Sequence, residues 1–238
     1  MSKSLELMGY RITENVPSIS FENKTIINTI NPHSFVVAEE DEDFKAALLN
    51  SDYLLPDGVG IVHAAKLIKN RAIPRITGPD YHEFVLSELN KEGGSCFYLG
   101  SSLKTLKKIE KRLRKEYPKL NFDTYSPPFK EKFSEEDNEL MVEKVNAFKP
   151  DALFVGMTAP KQEKWVYKHH ERLEAKVICS IGAAFDFFAG TKKRPARIWD
   201  KLGLSWLPRF LSEPKRLWKR NLISTPLFLR QVAKHKLN

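Results

Sequence analysis

Tyr53-Leu54-Leu55-Pro56-Asp57-Gly58-Val59-Gly60-Ile61-Val62 is the stretch on which the reading of this chain turns. A short apolar run ends at a carboxylate, two glycines open the backbone, and Ile61 to Lys69 then has the pattern of a helix. α/β proteins place a side chain at the mouth of a cleft in this way, where a strand runs into a turn and a helix. Gly58 and Gly60 let a ligand approach the backbone closely or let the chain adopt positive φ. Taken alone, the same residues read as a plain Asp-Gly turn. The rest of the chain decides between the two.

Strand and helix patterns alternate on both sides of this stretch. Leu5 to Thr13 and Lys24 to Ile30 read as strands, the second rich in β-branched residues and ended by Asn31-Pro32-His33. Only Pro17 to Asn23 separates them, so the helix that would normally join them is shortened. Downstream, helices are expected over Tyr81 to Leu89, Leu103 to Tyr117, Ser134 to Phe148 and Pro160 to His170. Strands are expected over Ser95 to Leu99, Asn121 to Tyr125, Ala152 to Val155 and Val177 to Ile181. Ser134-Glu135-Glu136-Asp137 has the form of a capping box with Asp in the last position. This alternation predicts an α/β fold with a doubly wound, mostly parallel, Rossmann-like sheet. There is no G-x-G-x-x-G, so a dinucleotide site has no support in the sequence.

The 238 residues can bury a full core, and 42% hydrophobic with 29% charged residues is ordinary for a globular protein in water. Cys96 and Cys179 each lie in an apolar run and read as buried free thiols in a reducing compartment. The N-terminus shows no secretory pattern, and no apolar run approaches the roughly 18 residues needed to span a bilayer. The expected location is therefore cytoplasmic.

The net charge of +9 is unevenly spread. From Gly190 onward thirteen Lys and Arg stand against Asp200 and Glu213, so the tail carries +11 and the body −2. Three of the four tryptophans, Trp199, Trp206 and Trp218, also lie there. The chain thus divides into an α/β body over 1–190 and a basic, helical appendage over 191–238. In the appendage Leu207, Phe210, Leu211, Leu217, Trp218 and Leu222 recur at roughly helical spacing, with Arg209, Arg216 and Arg220 among the cations between them.

Two further stretches can carry chemistry. Phe154-Val155-Gly156-Met157-Thr158-Ala159-Pro160-Lys161-Gln162-Glu163 reads as a strand, a turn of small residues and a helix that starts at proline. Free N–H groups at such a start bind anions, with Lys161 and the Gln162 amide at hand, although an ordinary strand-to-helix turn fits equally well. Ile181-Gly182-Ala183-Ala184-Phe185-Asp186 places a lone carboxylate among small and aromatic residues, either to cap or pair within the core or to grip a ligand. The literal D-x-D of Asp41 and Asp43 belongs to the first turn of a helix, where acids suit the dipole, and is not read as a metal site. His169-His170 has no partner at ligand spacing. No metal and no cofactor is expected.

Together Thr29-x-Asn31, Asp57-Gly58-x-Gly60, Arg75-x-x-Gly78-x-Asp80, Gly156 through Pro160-Lys161-Gln162-Glu163, and Gly182-Ala183-x-Phe185-Asp186 through Gly190 resemble the WecG/TagA/CpsF family of bacterial glycosyltransferases. The resemblance runs from about the second strand to the basic tail. It implies metal-independent, inverting transfer from a nucleotide donor, usually a UDP-sugar. The acceptor it implies is a sugar on a polyprenyl diphosphate, and the products feed common antigen, teichoic acid linkage units, capsule or exopolysaccharide. It also implies that Asp57 is the catalytic base. Thr29 and Asn31 would then orient donor sugar or acceptor beside it. Gly58, Gly60, Gly156 and Glu163 would line the substrate site, while Arg75, Lys161, Gln162 and a tail arginine, Arg209 or Arg216, would face the departing diphosphate. Asp186 would face the nucleotide.

The tail would hold the enzyme on the anionic inner face of the plasma membrane, with no specific nucleic-acid partner. The chain departs from the family pattern at Arg194-Pro195-Ala196, where Arg-Ala-Pro is usual, and at Ser205-Trp206, where Glu-Trp is usual. Another nucleotide-sugar enzyme (an epimerase or hydrolase) or a non-catalytic nucleic-acid- or membrane-binding protein are the competing readings. A steep loss of binding with salt would mark nucleic acid.

Overall fold

The computed structural model describes residues 3–194, 199, 207, 210–211 and 213–237. Eight strands form one sheet: β1 (Ser4–Leu7), β2 (Tyr10–Thr13), β3 (Thr25–Ile30), β4 (Tyr53–Pro56), β5 (Ser95–Gly100), β6 (Asn121–Tyr125), β7 (Ala152–Gly156) and β8 (Val177–Ser180). Their order across the sheet is β1-β2-β4-β3-β8-β7-β5-β6, and every pairing is parallel except β1 with β2. The helices of the body are α1 (Pro32–Ala38), α2 (Glu42–Leu49), α3 (Val59–Lys69), α4 (Gly78–Glu92), α5 (Leu103–Glu116), α6 (Glu135–Phe148), α7 (Lys161–His169) and α8 (Gly182–Phe188).

The sheet is covered on both faces, as a doubly wound fold requires. Ile27, Leu55, Tyr98, Phe154 and Cys179 project from the strands toward α4, α5 and α8. On the other face Leu153, Val155 and Ile178 meet α6 and α7, while Ile12, Ile30 and Leu54 meet α1, α2 and α3. All residues of β7 and β8 are buried, which explains their unbroken apolar sequences. The two cysteines are buried free thiols, and burial pushes both up from the usual thiol range.

The structure departs from the sequence reading in three places. Leu5 to Thr13 is a hairpin of two strands, because Met8 and Gly9 both take positive φ, at 50° and 82°, and turn the chain back. Residues 14 to 24 contain no helix at all. Asn31-Pro32-His33-Ser34, read as a break, starts α1: the Asn31 side chain accepts from the His33 and Ser34 N–H groups, and Ser34 bonds back to the Asn31 N–H. Pro32 stands in the first turn, where its missing N–H costs nothing. The expected capping box at Ser134 and Asp137 is present, and Asp41 caps α2 while pairing with Lys164 at 2.9 Å.

Within the stretch read as an appendage, α9 (Pro214–Trp218) leads through a π-helical turn, Lys219–Ser224, into α10 (Thr225–Leu237). Phe228 and Val232 of α10 are buried among α1 and α3, with the Phe228 ring 5.4 Å from that of Phe35 at 81°. His33 Nδ1 lies 2.9 Å from Ser224 Oγ, and burial first, then the charge of Arg220, lowers the His33 pKa. Outward, Trp218, Leu222, Ile223 and Leu229 remain exposed. Among the described residues no helix is long and apolar enough to cross a membrane.

Candidate active site

In a parallel sheet, ligands bind beyond the carboxyl ends of the strands, where neighbouring connections leave toward opposite faces. Here the motif residues sit at those ends. The Ile30–Pro56 pairing of β3 and β4 is extended by the Asp57 N–H, which donates to the Ile30 carbonyl at 2.9 Å. Thr29, Asn31 and Asp57 therefore stand side by side on two adjacent strand ends. The third segment is brought in when the Ile76 N–H donates to the Pro56 carbonyl at 3.1 Å, which places Arg75 and Thr77 next to the same edge.

Asp57 is half-buried, and no side-chain hydrogen bond or ion pair engages its carboxylate among the described residues. Just after it, α3 starts with Gly58 as its N-cap and no side-chain cap, which leaves N–H groups of its first turn without an intrahelical partner. The glycines serve a packing purpose. A Cβ on Gly58 would stand 3.2 Å from both Asn31 Cβ and Pro32 Cδ, and one on Gly60 would run into Pro32 Cγ. Their absence of side chains lets the first turn of α1 press against that of α3, and so sets the distance between Asn31 and Asp57.

A cleft of about 220 Å³ opens here, lined by Val59, Val62, His63, Arg75, Thr77 and Asp80. Thr77 caps α4 and Asp80 receives a hydrogen bond from its hydroxyl. Arg194 Nη2 donates to Asp80 Oδ1 at 2.6 Å, so Arg194 reaches one of the lining residues. A larger groove of about 640 Å³ between α1 and α10 contains none of the motif residues and lies away from this edge.

The second motif, on β7 and α7, is built differently. Gln162 is buried, and its Oε1 accepts from the Met157 and Gly182 N–H groups, each at 3.1 Å. Its Nε2 donates to Glu163 Oε1 at 2.9 Å. Glu163 is buried too, its other oxygen has no partner among the described residues, and burial pushes its carboxyl up to about 7 despite the Gln162 hydrogen bond. The open face of Gly156 is filled by the Phe185 ring, which a Cβ there would strike. Lys161 turns away, with its ammonium 3.5 Å from the centre of the Phe133 ring and bonded to the Lys130 carbonyl.

The sequence reading set Lys161, Gln162, Glu163 and Gly156 against a substrate, and in the fold they lie as follows. Three of these residues are buried braces of the turn, and Lys161 is committed to the loop before α6. Asp186 accepts from Thr191 Oγ1 at 2.9 Å and lies 3.6 Å from Lys192 Nζ, which in turn reaches Glu213 at 2.8 Å. It ties the start of the tail to the body. Arg209 lies outside the described residues, and Arg216 falls within α9.

The structure adds His63, Thr77, Asp80 and Arg194 to the site. Asp80 belonged to the quoted Arg75-x-x-Gly78-x-Asp80 pattern, and His63 follows Val59 by one helical turn. Nothing local in the sequence links Arg194 to Asp80.

These features define a class: a doubly wound α/β protein with a carboxylate, an arginine and an uncapped helix start at the carboxyl edge of its sheet. Residues 6–238 match the model of the glycosyl transferase WecG/TagA/CpsF family. The chain belongs to that family. It is 30% identical over 213 residues to an N-acetylglucosaminyldiphosphoundecaprenol N-acetyl-beta-D-mannosaminyltransferase of Bacillus subtilis (strain 168), covering 90% of this chain and 80% of the relative. A Staphylococcus aureus (strain MRSA252) protein of the same name is 30% identical over 214 residues, covering 90% and 82%.

Proposed function

We propose that this glycosyltransferase moves a sugar, of the N-acetylmannosamine type or another hexose, from a UDP-sugar to a sugar carried on a polyprenyl diphosphate, with inversion at the anomeric carbon. The observation that supports it most is Asp57, a carboxylate with no side-chain partner among the described residues, beside Arg75 and the open start of α3. The names of the relatives supply the acceptor, since they describe enzymes acting on an undecaprenyl-diphosphate-linked N-acetylglucosamine.

In this reading the acceptor hydroxyl oxygen bonds to C1 of the donor sugar while Asp57 takes its proton. The bond from C1 to the diphosphate oxygen breaks on the opposite face, and its electron pair leaves with UDP. Arg75 and the first N–H groups of α3 offset the charge that develops there. Thr29, together with the Asn31 amide nitrogen, orients the reacting sugars. Arg194 and the tail cations extend the positive field toward the diphosphates. Exposed Trp218, Leu222, Ile223 and Leu229, beside Lys215, Lys219 and Arg230, suit a peripheral position on an anionic membrane surface, where a lipid-linked acceptor resides.

The deciding experiment is transfer by the full chain with a panel of UDP-sugars and a GlcNAc-diphosphate-lipid acceptor, in the presence of EDTA. UDP release coupled to acceptor elongation is expected with one donor. Release without elongation would replace transfer by hydrolysis, and silence with every donor would remove the UDP-sugar reading. Co-sedimentation with vesicles tests the membrane placement: equal binding to anionic and zwitterionic vesicles would defeat it.

A further inference from the structure

Glu163 is the buried titratable group that the mechanism above leaves unused. It follows Gln162, whose side chain ties together three pieces of chain at the catalytic edge: the turn after β7 at Met157, the first residue of α8 at Gly182, and α7 itself. The Gln162 oxygen is saturated by two backbone donors, so the amide can be held in only one orientation if its nitrogen also finds an acceptor. Glu163 Oε1 is that acceptor.

We propose that Glu163 is a positioning residue for glycosyl transfer: its buried carboxyl anchors the Gln162 amide, and through it the turn after β7 and the start of α8 are held against the strand ends that carry Thr29 and Asp57. This rests on the reading that transfer takes place at that edge.

The geometry also states which form of the acid does the anchoring. One oxygen accepts from Gln162, while the other is buried and has no donor among the described residues. An ionised carboxylate there would be desolvated on one side with nothing to compensate it. The neutral carboxyl is therefore favoured, in keeping with burial that raises it to about 7. The charges on the surrounding elements are already engaged. Asp41 and Asp43 of α2 face Lys164, Glu135 of α6 faces Lys168, Glu139 faces Arg172, and Asp137 faces Lys130. On α7 itself, Lys161 is turned toward Phe133 and His169 is lowered by burial.

The test compares the full-length wild type with Glu163→Leu and Glu163→Gln, measuring kcat and KM for donor across pH 5.5 to 9, and thermal unfolding without substrate. Glu163→Leu, which keeps the volume and removes the acceptor, is expected to lower kcat by about tenfold or more, with KM for donor within about threefold. Glu163→Gln, which keeps the acceptor and cannot ionise, is expected to recover most of that loss and to lack the decline of kcat above about pH 7 expected of wild type as the Glu163 proton is lost. Wild-type kcat in Glu163→Leu would overturn the proposal. So would equal losses in both variants with intact unfolding transitions. If the Leu variant does not fold, the Gln variant decides alone: an alkaline limb identical to wild type overturns the proposal, and its disappearance supports it. Absence of transfer by wild type would instead overturn the function proposed above, while the pH dependence of unfolding still reports on the Glu163 proton.

Discussion

Two strand-to-helix turns at the carboxyl edge of this sheet look alike in sequence and are opposite in construction. After β4 stand a carboxylate, Asp57, that no side chain engages among the described residues, a helix with no side-chain cap, and a cleft lined in part by Arg75. After β7, Gln162 and Glu163 spend their hydrogen bonds on the backbone and on each other, and Phe185 fills the space above Gly156. The difference teaches what separates a ligand-binding turn from a bracing one. Polar residues and glycines occur in both, and what counts is whether the folded chain has already satisfied them.

The largest effect should come from the open turn. Asp57→Asn keeps the shape and removes the proposed base, so transfer should fall by about 10²- to 10⁴-fold while the unfolding midpoint stays within a few degrees. A variant with wild-type turnover would erase the distinction between the two turns. Arg75→Ala should follow, with kcat reduced on the order of 10²-fold, the usual loss when one charge-stabilising donor is removed. An effect on KM alone would make Arg75 a binding group and would sharpen the comparison on the other side.

The bracing turn should speak through stability. Glu163 is raised from 4.5 to about 7 in the fold, so the native state holds its proton more tightly than the unfolded chain does. Its penalty is absent below about pH 4.5, grows as pH rises toward 7 and is fully present above, reaching at most about 3 kcal/mol. Urea unfolding of Glu163→Gln should accordingly match wild type near pH 5 and exceed it near pH 8. A gap that does not change with pH would mean that the carboxyl is solvated. The smallest effect is expected for Lys161→Ala, whose ammonium contacts Phe133 and the Lys130 carbonyl. Less than about threefold change in kcat should result, and a loss comparable to that of Arg75→Ala would return Lys161 to the diphosphate site.

Much of the fold was legible because its signals are local. The unbroken apolar runs of β5, β7 and β8, the 3.6-residue periodicity of α5 and the capping box of α6 follow from burial and hydrogen-bond bookkeeping over a few residues. α1 was missed because a seven-residue helix behind Asn-Pro carries too little periodicity to outweigh the proline. The hairpin at Met8-Gly9 was missed because a single glycine marks it. Of the candidate site, the strand-end positions of Thr29, Asn31 and Asp57 were legible, and Arg75 was legible as part of an ordered set of motifs. The burial of Gln162 and Glu163 was not, since nothing in Pro160-Lys161-Gln162-Glu163 tells which way a helix will face once it is laid on the sheet.

Alone, then, the sequence determined the alternation of strands and helices, the charge asymmetry between body and tail, and the chain positions at which a carboxylate could meet a cleft. These depend on residue type and spacing. Tertiary structure decided the rest. It set the crossing order that puts β4, β3, β8 and β7 side by side, the docking of Phe228 onto Phe35, and the Arg194–Asp80 contact. It also decided that one polar turn stays open while the other is consumed. Such outcomes rest on contacts between residues far apart in the chain, whose energies exist only once the layers have packed, and no local pattern encodes them.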